Sequence, residues 1–300
     1  MGTGREDEAP GPARAPGLPG ARGPAYALRW ARSLLYVSQA YAMMALLSLW
    51  FGPWAVVDRR GAHAGVRTWC RYARWSARWM VGITTELRGP VPTGAVLIAS
   101  KHHSFLDIII LVSELPRPKF VMKAELRRMP ILGWFALRIG CVPVERGRRA
   151  EAVRRMLRDV AAGRADPGQL IIYPEGTRLA PGERRPYKVG AAALYAASGQ
   201  ACVPAACNVG LFWPRHGVIR HPGHAVVELL PPIQPGLELD AFLARLEAEV
   251  EAATDRLLAE GGWTGPAARS AAGLAPDRPV PQAAPTPRRG EDPGTVGRTP

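Results

Sequence analysis

From Ser33 to Val57 the chain runs for 25 residues without one charged side chain, and this stretch restricts the possible folds more than any other. Leu34, Leu35, Val37, Met43, Met44, Leu46, Leu47, Leu49, Trp50 and Phe51 dominate it. As a helix rising about 1.5 Å per residue, it is long enough to cross the roughly 30 Å hydrocarbon core of a bilayer. Gly52 and Pro53 punctuate it near its end. A cleaved signal peptide fits poorly, because the run starts late and no small-residue cleavage site precedes Asp58. A membrane-anchoring helix is the expectation, with a buried core helix as the competing reading.

The next segment sharpens that expectation. At about 100° per residue, Arg67, Arg71, Arg74 and Arg78 fall in one stripe, opposite Trp69, Tyr72 and Trp79, with Trp75 at the side. A basic stripe opposite aromatic rings describes a helix at a bilayer interface, with rings at headgroup depth and guanidinium groups on lipid phosphates. The bland alternative is a solvated charged face over a protein core. Arginines flank both ends of the uncharged run, so the charge bias gives no single orientation, and both a span and a hairpin that dips in and returns stay open.

Charge narrows the partners. The chain carries 39 basic and 25 acidic residues, a net +14, which points to nucleic acid, a membrane surface or a phosphorylated substrate. Residues 26–90 hold nine Arg against Asp58 and Glu86, so half of the excess sits beside the apolar run. That placement favours lipid over nucleic acid, and no nucleic-acid partner is expected. All but four basic residues (Lys101, Lys119, Lys123 and Lys188) are Arg, which together with 32 Gly and 30 Pro reads as genome composition. The four cysteines form no C-x-x-C pair, in keeping with reduced intracellular thiols.

Four regions follow from composition. Residues 1–25 and 264–300, rich in Pro, Gly, Ala and Arg, hold too little apolar surface to order themselves. Residues 26–85 are expected to be membrane-anchoring helices, and 86–263 a catalytic domain. In the latter, apolar runs at Ala95–Ala99, Lys119–Met122, Gly140–Val144, Gln169–Tyr173, Ala201–Asn208 and Ala225–Leu230 read as strands. Ser104–Val112, Pro130–Arg138, Ala150–Ala162, Val189–Ser198 and Asp240–Leu258 read as helices. This alternation predicts an α/β fold, a mostly parallel sheet flanked by helices. Gly-rich nucleotide loops are absent from the sequence.

Two clusters could do chemistry. In Lys101-His102-His103-Ser104-Phe105-Leu106-Asp107, between a strand and an apolar helix, Ser104 is a natural helix cap. His102 and Asp107 can meet only if His102 lies in the turn and Asp107 reaches back from the first helical turn. There the carboxylate would fix the imidazole tautomer and leave the other nitrogen as a base. Without a G-x-S-x-G elbow, such a pair suits direct activation of a substrate hydroxyl; a structural His–Asp hydrogen bond is the alternative. The second cluster, Tyr173-Pro174-Glu175-Gly176-Thr177-Arg178, combines backbone donors, a hydroxyl and an Arg fork at a strand end, equipment for gripping a phosphate.

His-x4-Asp followed some seventy residues later by Tyr-Pro-Glu-Gly-Thr-Arg resembles the glycerolipid acyltransferases, above all the bacterial 1-acylglycerol-3-phosphate acyltransferases. The resemblance covers roughly residues 26–260. Lys123-Ala124-Glu125-Leu126, Pro130, Gly133 and Val144-Glu145-Arg146 look like the family's second block, and Val203-Pro204 like its fourth; Asn208–Arg215 and Leu230–Ile233 are also similar to the bacterial enzymes. The resemblance implies that His102 is the base and Asp107 its partner. It implies that Lys123, Arg146, Gly176, Thr177 and Arg178 hold a phosphate, that Glu175 orients the arginines, and that Val203 and Pro204 serve the acyl-donor side. It implies an acyl-CoA or acyl carrier protein donor, a lysophospholipid acceptor, membrane lipids as surroundings, no metal or bound cofactor, and a bacterial inner membrane with the site facing the cytoplasm. Phosphatidic acid would be the product, with another lysolipid, such as lyso-ornithine lipid, as the rival acceptor. From other classes, a metal-dependent hydrolase would need further ligands, and His63, His216, His221 and His224 form no second motif. A non-catalytic basic membrane-binding protein is the third alternative. His103 has the wrong spacing to Asp107 and is expected to pack or line the site.

Overall fold

The computed structural model describes residues 23–144 and 167–265, together with Arg155 and Arg158. Arg146, all of the helix expected at Ala150–Ala162 except Arg155 and Arg158, and almost all of both terminal segments lie outside the described residues. Helix α1 spans Pro24–Val57, opening on a proline whose missing N–H costs nothing in the first turn. It begins before the uncharged run, taking in Arg29 and Arg32, and continues through Pro53 rather than stopping at Gly52. Asp58 alone separates it from α2, Arg59–Met80, and its side chain accepts from the Arg60 N–H at 2.8 Å to cap that helix.

The two helices pair antiparallel. Trp69 Nε1 donates to the Ala40 carbonyl at 2.8 Å and the Tyr36 hydroxyl to the Ala73 carbonyl at 3.1 Å. Close approach rests on small residues: Gly61, Ala62, Gly65, Ala73, Ser76 and Ala77 are the buried side of α2. A Cβ at Gly61 would stand 2.6 Å from the Ala55 nitrogen, so no side chain fits there. Of the predicted aromatic face, Trp75 and Trp79 are exposed, while Trp69 and Tyr72 are half-buried against α1.

The remaining described elements form one sheet with helices on both faces. The strands are β1 (Ile83–Arg88), β2 (Val96–Ser100), β3 (Pro118–Lys123), β4 (Val142–Val144), β5 (Gln169–Ile172), β6 (Cys202–Cys207) and β7 (Gly223–Leu229). Their spatial order is β1-β7-β6-β2-β5-β3-β4, parallel throughout except between β6 and β7. The helices are α3 (Leu106–Glu114), α4 (Leu132–Arg138), α5 (Val189–Ser198) and α6 (Leu239–Glu260). The two-residue period of a strand sorts its side chains between the layers. Leu97, Ala99, Leu170 and Ile172 join the core of α5 and α6, with Tyr195, Phe242, Leu246 and Val250. Ile98 and Ile171 face the other way, into the core of α2, α3 and α4.

β1 is an edge strand absent from the sequence expectation, and it moves the sheet's start to Ile83, within the region assigned to anchoring helices. Both ends of α1 are tied to the sheet domain. Near its start, the Arg220 N–H donates to Ser33 Oγ at 2.9 Å and Tyr36 meets Trp213 edge to face. Near its end, Arg138 of α4 donates to the Ala55 and Val56 carbonyls at 2.8 and 2.7 Å. Between these ties α1 exposes Leu34, Leu35, Tyr41, Leu46, Leu49, Trp50 and Trp54.

Candidate active site

Ser104-Phe105-Leu106-Asp107 is a capping box, and its hydrogen bonds dictate the geometry of the site. Ser104 Oγ accepts from the Leu106 N–H at 3.1 Å, while Asp107 Oδ2 reaches back to the His103 and Ser104 N–H groups at 3.1 and 3.0 Å. Ser104 thus supplies the expected cap, although the helical ladder starts two residues later. The same reach brings the carboxylate to His102, whose Nδ1 lies 3.0 Å from Oδ1 and 3.1 Å from Oδ2. Since a carboxylate taking two backbone donors is an acceptor, Nδ1 carries the proton and Nε2 is left as the basic nitrogen. Asp107 is fully buried, and the His102 side chain keeps 13% exposure, enough for a reactant to reach it.

β2, β5 and β3 are adjacent and parallel, so their carboxyl ends gather the other elements of the site. Tyr173, just past β5, stacks on His102 with ring centroids 3.8 Å apart, and its hydroxyl donates to Asp107 Oδ1 at 3.1 Å. Beyond it, Gly176 adopts a left-handed φ of 70°, and the Leu179 N–H donates to the His102 carbonyl at 2.9 Å, locking the phosphate-type turn against the histidine. Thr177 and Arg178 are half-buried there, and Lys123 is exposed at the end of β3. Lys188, which caps α5, lies over the turn: a Cβ on Gly176 would stand 2.4 Å from its Nζ. Sequence reasoning missed Lys188, whose only signal was being one of four lysines in an arginine-rich chain. Among the described residues, the charged ends of Lys123, Arg178 and Lys188 have no ion-pair partner.

Two expectations are corrected. Glu175 does not orient the arginines; it is buried beneath the turn and pairs with Lys101 Nζ at 2.6 Å. Lys101 also binds Glu251 of α6 at 2.7 Å, and Tyr187 and Arg184 complete that cluster. Burial pushes the Glu175 carboxyl up to about 6 against the pull of Lys101. Burial also opposes the Lys101 charge, but the two carboxylates outweigh it and hold the ammonium above its ordinary range. In α2, Arg67 and Arg74 do not face outward to lipid phosphates. Arg67 donates to the Leu115 and Pro116 carbonyls, both at 2.7 Å, and Arg74 binds Thr85, Ser113 and Glu114. Only Arg71 and Arg78 of the stripe are exposed.

His103 is fully buried and packs where Gly210 lacks a side chain, a Cβ there standing 2.9 Å from its own. Burial, reinforced by Lys101, pushes its pKa down to about 3, so it stays neutral. Val203 and Pro204 lie within β6, opposite Ile98 and Ala99, buried in the sheet below the His–Asp pair. An apolar cavity of about 150 Å³ lies between the α1–α2 hairpin, α3 and α4; Met44, Trp69, Phe105, Ile108, Phe120 and Phe135 are among its walls. Phe120 joins it to the site by stacking on Tyr173 at 6.3 Å.

A buried His–Asp pair with a free imidazole nitrogen, at the head of a parallel sheet, is the equipment of an enzyme that activates a substrate's own hydroxyl for group transfer. Comparison with known proteins agrees: residues 83–208, β1 through β6, match the sequence model of the family described as Acyltransferase. Residues 83–208 thus carry an acyltransferase domain, and the chain is an acyltransferase. It is 29% identical over 197 residues to a 1-acyl-sn-glycerol-3-phosphate acyltransferase of Pseudomonas aeruginosa, covering 65% of this chain and 77% of that protein. It is 33% identical over 107 residues to a lyso-ornithine lipid O-acyltransferase of the same organism, covering 34% of this chain and 40% of that protein. The fold superposes on the crystal structure of the 1-acyl-sn-glycerophosphate acyltransferase PlsC of Thermotoga maritima with a TM-score of 0.64 at 18% identity, covering 79% of this chain and all of that one.

Proposed function

We propose that the protein transfers an acyl group from a thioester donor, acyl-CoA or acyl carrier protein, to the sn-2 hydroxyl of 1-acylglycerol 3-phosphate, giving phosphatidic acid for phospholipid synthesis. The observation that carries this reading is that the carboxyl ends of β2, β5 and β3 gather both a tautomer-fixed histidine and three cations, Lys123, Arg178 and Lys188, with no ion-pair partner among the described residues. His102 Nε2 takes the hydroxyl proton as the oxygen attacks the thioester carbon. The tetrahedral intermediate then collapses, the C–S bond breaks, and the imidazolium returns the proton to the departing sulfur. Asp107 stabilises the imidazolium in between. The cations hold the phosphate dianion and so place the hydroxyl at Nε2. The apolar cavity beside the helical hairpin, joined to the site through Phe120, suits an acyl chain.

The acceptor and product reside in a bilayer, and the exposed apolar side of α1 is the surface that meets it. Ser33 and Ala55 are both tied to the sheet domain. They lie about 33 Å apart along a helix, which is about the thickness of the hydrocarbon core. A spanning α1 would drag the polar domain through the lipid, so we read the hairpin as lying in one leaflet, with Arg71, Arg78, Trp75 and Trp79 at headgroup depth. Thioester donors are cytoplasmic, which places the site on the cytoplasmic face of the inner membrane.

The 33% identity to a lyso-ornithine lipid acyltransferase favours a second acceptor. Acyl-transfer assays on membranes containing the full chain decide between them. Lysophosphatidic acid is expected to be acylated much faster than lyso-ornithine lipid, and His102→Ala to lower the rate by roughly 10²–10⁴. A preference for lyso-ornithine lipid would replace the acceptor, and full activity in His102→Ala would remove the base.

A further inference from the structure

We propose that Tyr173 is a positioning residue for the catalytic pair, its hydroxyl holding Asp107 and its ring holding His102. The inference rests on the reading of His102 as the base. The register of the sheet produces the arrangement: Ile172 of β5 stands opposite Ala99 of β2, so the residue after β5 projects beside the turn that carries His102. The two rings lie 3.8 Å apart and 18° from parallel, and the hydroxyl donates at 3.1 Å to Oδ1, the oxygen nearest to His102 Nδ1.

Packing alone does not require the hydroxyl. A phenyl ring would stack equally well between His102 and Phe120, and a buried hydroxyl is costly unless it is hydrogen-bonded. Tyr173 meets that requirement on Asp107, and burial, with the nearby carboxylate, keeps its phenol well above the ordinary range and therefore always a donor. With the backbone N–H groups of His103 and Ser104 on Oδ2 and the phenol on Oδ1, the carboxylate cannot rotate away from the imidazole.

Two chemical consequences follow. The phenol shares the negative charge of Asp107, so its removal strengthens the pull of that carboxylate on the imidazolium. The ring presents its π face to the positive charge that His102 acquires as it takes the substrate proton. The other ionisable groups around the pair are Lys101 and His103 on the same turn, Glu175 beneath it and Cys207 of β6. Burial holds His103 and the Cys207 thiol neutral, and Lys101 is paired with Glu175.

Tyr173→Phe removes the hydroxyl and keeps the ring, whereas Tyr173→Leu removes both. The test is kcat and KM for lysophosphatidic acid, with the full chain in mixed micelles, between about pH 5 and 9. In Tyr173→Phe, kcat is expected to fall roughly three- to tenfold with KM unchanged, and the ascending limb of the kcat profile to move up by about half a pH unit. Tyr173→Leu is expected to lose roughly a further tenfold in kcat. A Phe variant with the wild-type pH limb overturns the proposal, even if its melting temperature falls, because a merely structural tyrosine would not move that limb. His102→Ala assayed alongside separates the failures. If it is inactive while the Phe limb is unmoved, only the positioning role is lost; if it is active, the base assignment falls and the positioning role with it.

Discussion

The two halves of the site are built in opposite ways. The Asp107 carboxylate is fully engaged: two backbone N–H groups, an imidazole and a phenol converge on it, with Lys101 paired to Glu175 and Glu251 beneath. A few residues away, Lys123, Arg178 and Lys188 carry charges with no ion-pair partner among the described residues. In the proposed reaction the base is oriented before substrate arrives, so no reorganisation is needed at the moment of reaction. In the same proposal the cations are left for the phosphate, because an anion that had to break existing salt bridges would bind more weakly. The same contrast divides the basic stripe of α2, where Arg67 and Arg74 fasten the helix to the domain while Arg71 and Arg78 stay exposed.

Three variants probe this contrast. The largest effect is expected from Asp107→Asn, which keeps the shape but loses the charge: kcat should fall roughly 10³-fold with little change in KM. A KM effect instead would mean that Asp107 contacts substrate. Lys101→Met is expected next, leaving Glu175 and Glu251 buried without their partner and costing about 3 kcal/mol of stability in denaturant unfolding. An unchanged midpoint would show that the cluster is not the rigid floor described above. The smallest effect is expected for the paired change Leu49→Glu and Trp50→Glu on the exposed side of α1, which should weaken sedimentation with anionic vesicles by roughly tenfold. Wild-type vesicle binding would mean that another surface meets the bilayer.

Local periodicity made most of this fold legible. Six strands were foreseen within two residues of their ends because each is an apolar run, and α5 was foreseen to the residue. β1 was not, since Thr84, Thr85, Glu86 and Arg88 give an edge strand a polar composition that reads as the end of a basic segment. The His102–Asp107 contact was readable because five residues and a capping serine confine it. Lys101–Glu175 and Lys101–Glu251 bridge 74 and 150 positions, and no local pattern reports a contact made only by the register of a parallel sheet. For the same reason the sequence suggests that Glu175 orients the arginines and gives no sign of Lys188. Tyr173 was quoted only as part of its motif, its tie to Asp107 being 66 residues long.

The account divides labour between an oriented base and waiting cations, and steady-state kinetics on lysophosphatidic acid tests that division most directly. It predicts that His102→Ala loses kcat by at least about 10² with KM nearly constant, and that Arg178→Ala combined with Lys188→Ala raises KM by roughly tenfold or more while kcat stays within a few fold. A double cation variant that loses kcat at unchanged KM, or a histidine variant that changes KM alone, would contradict it.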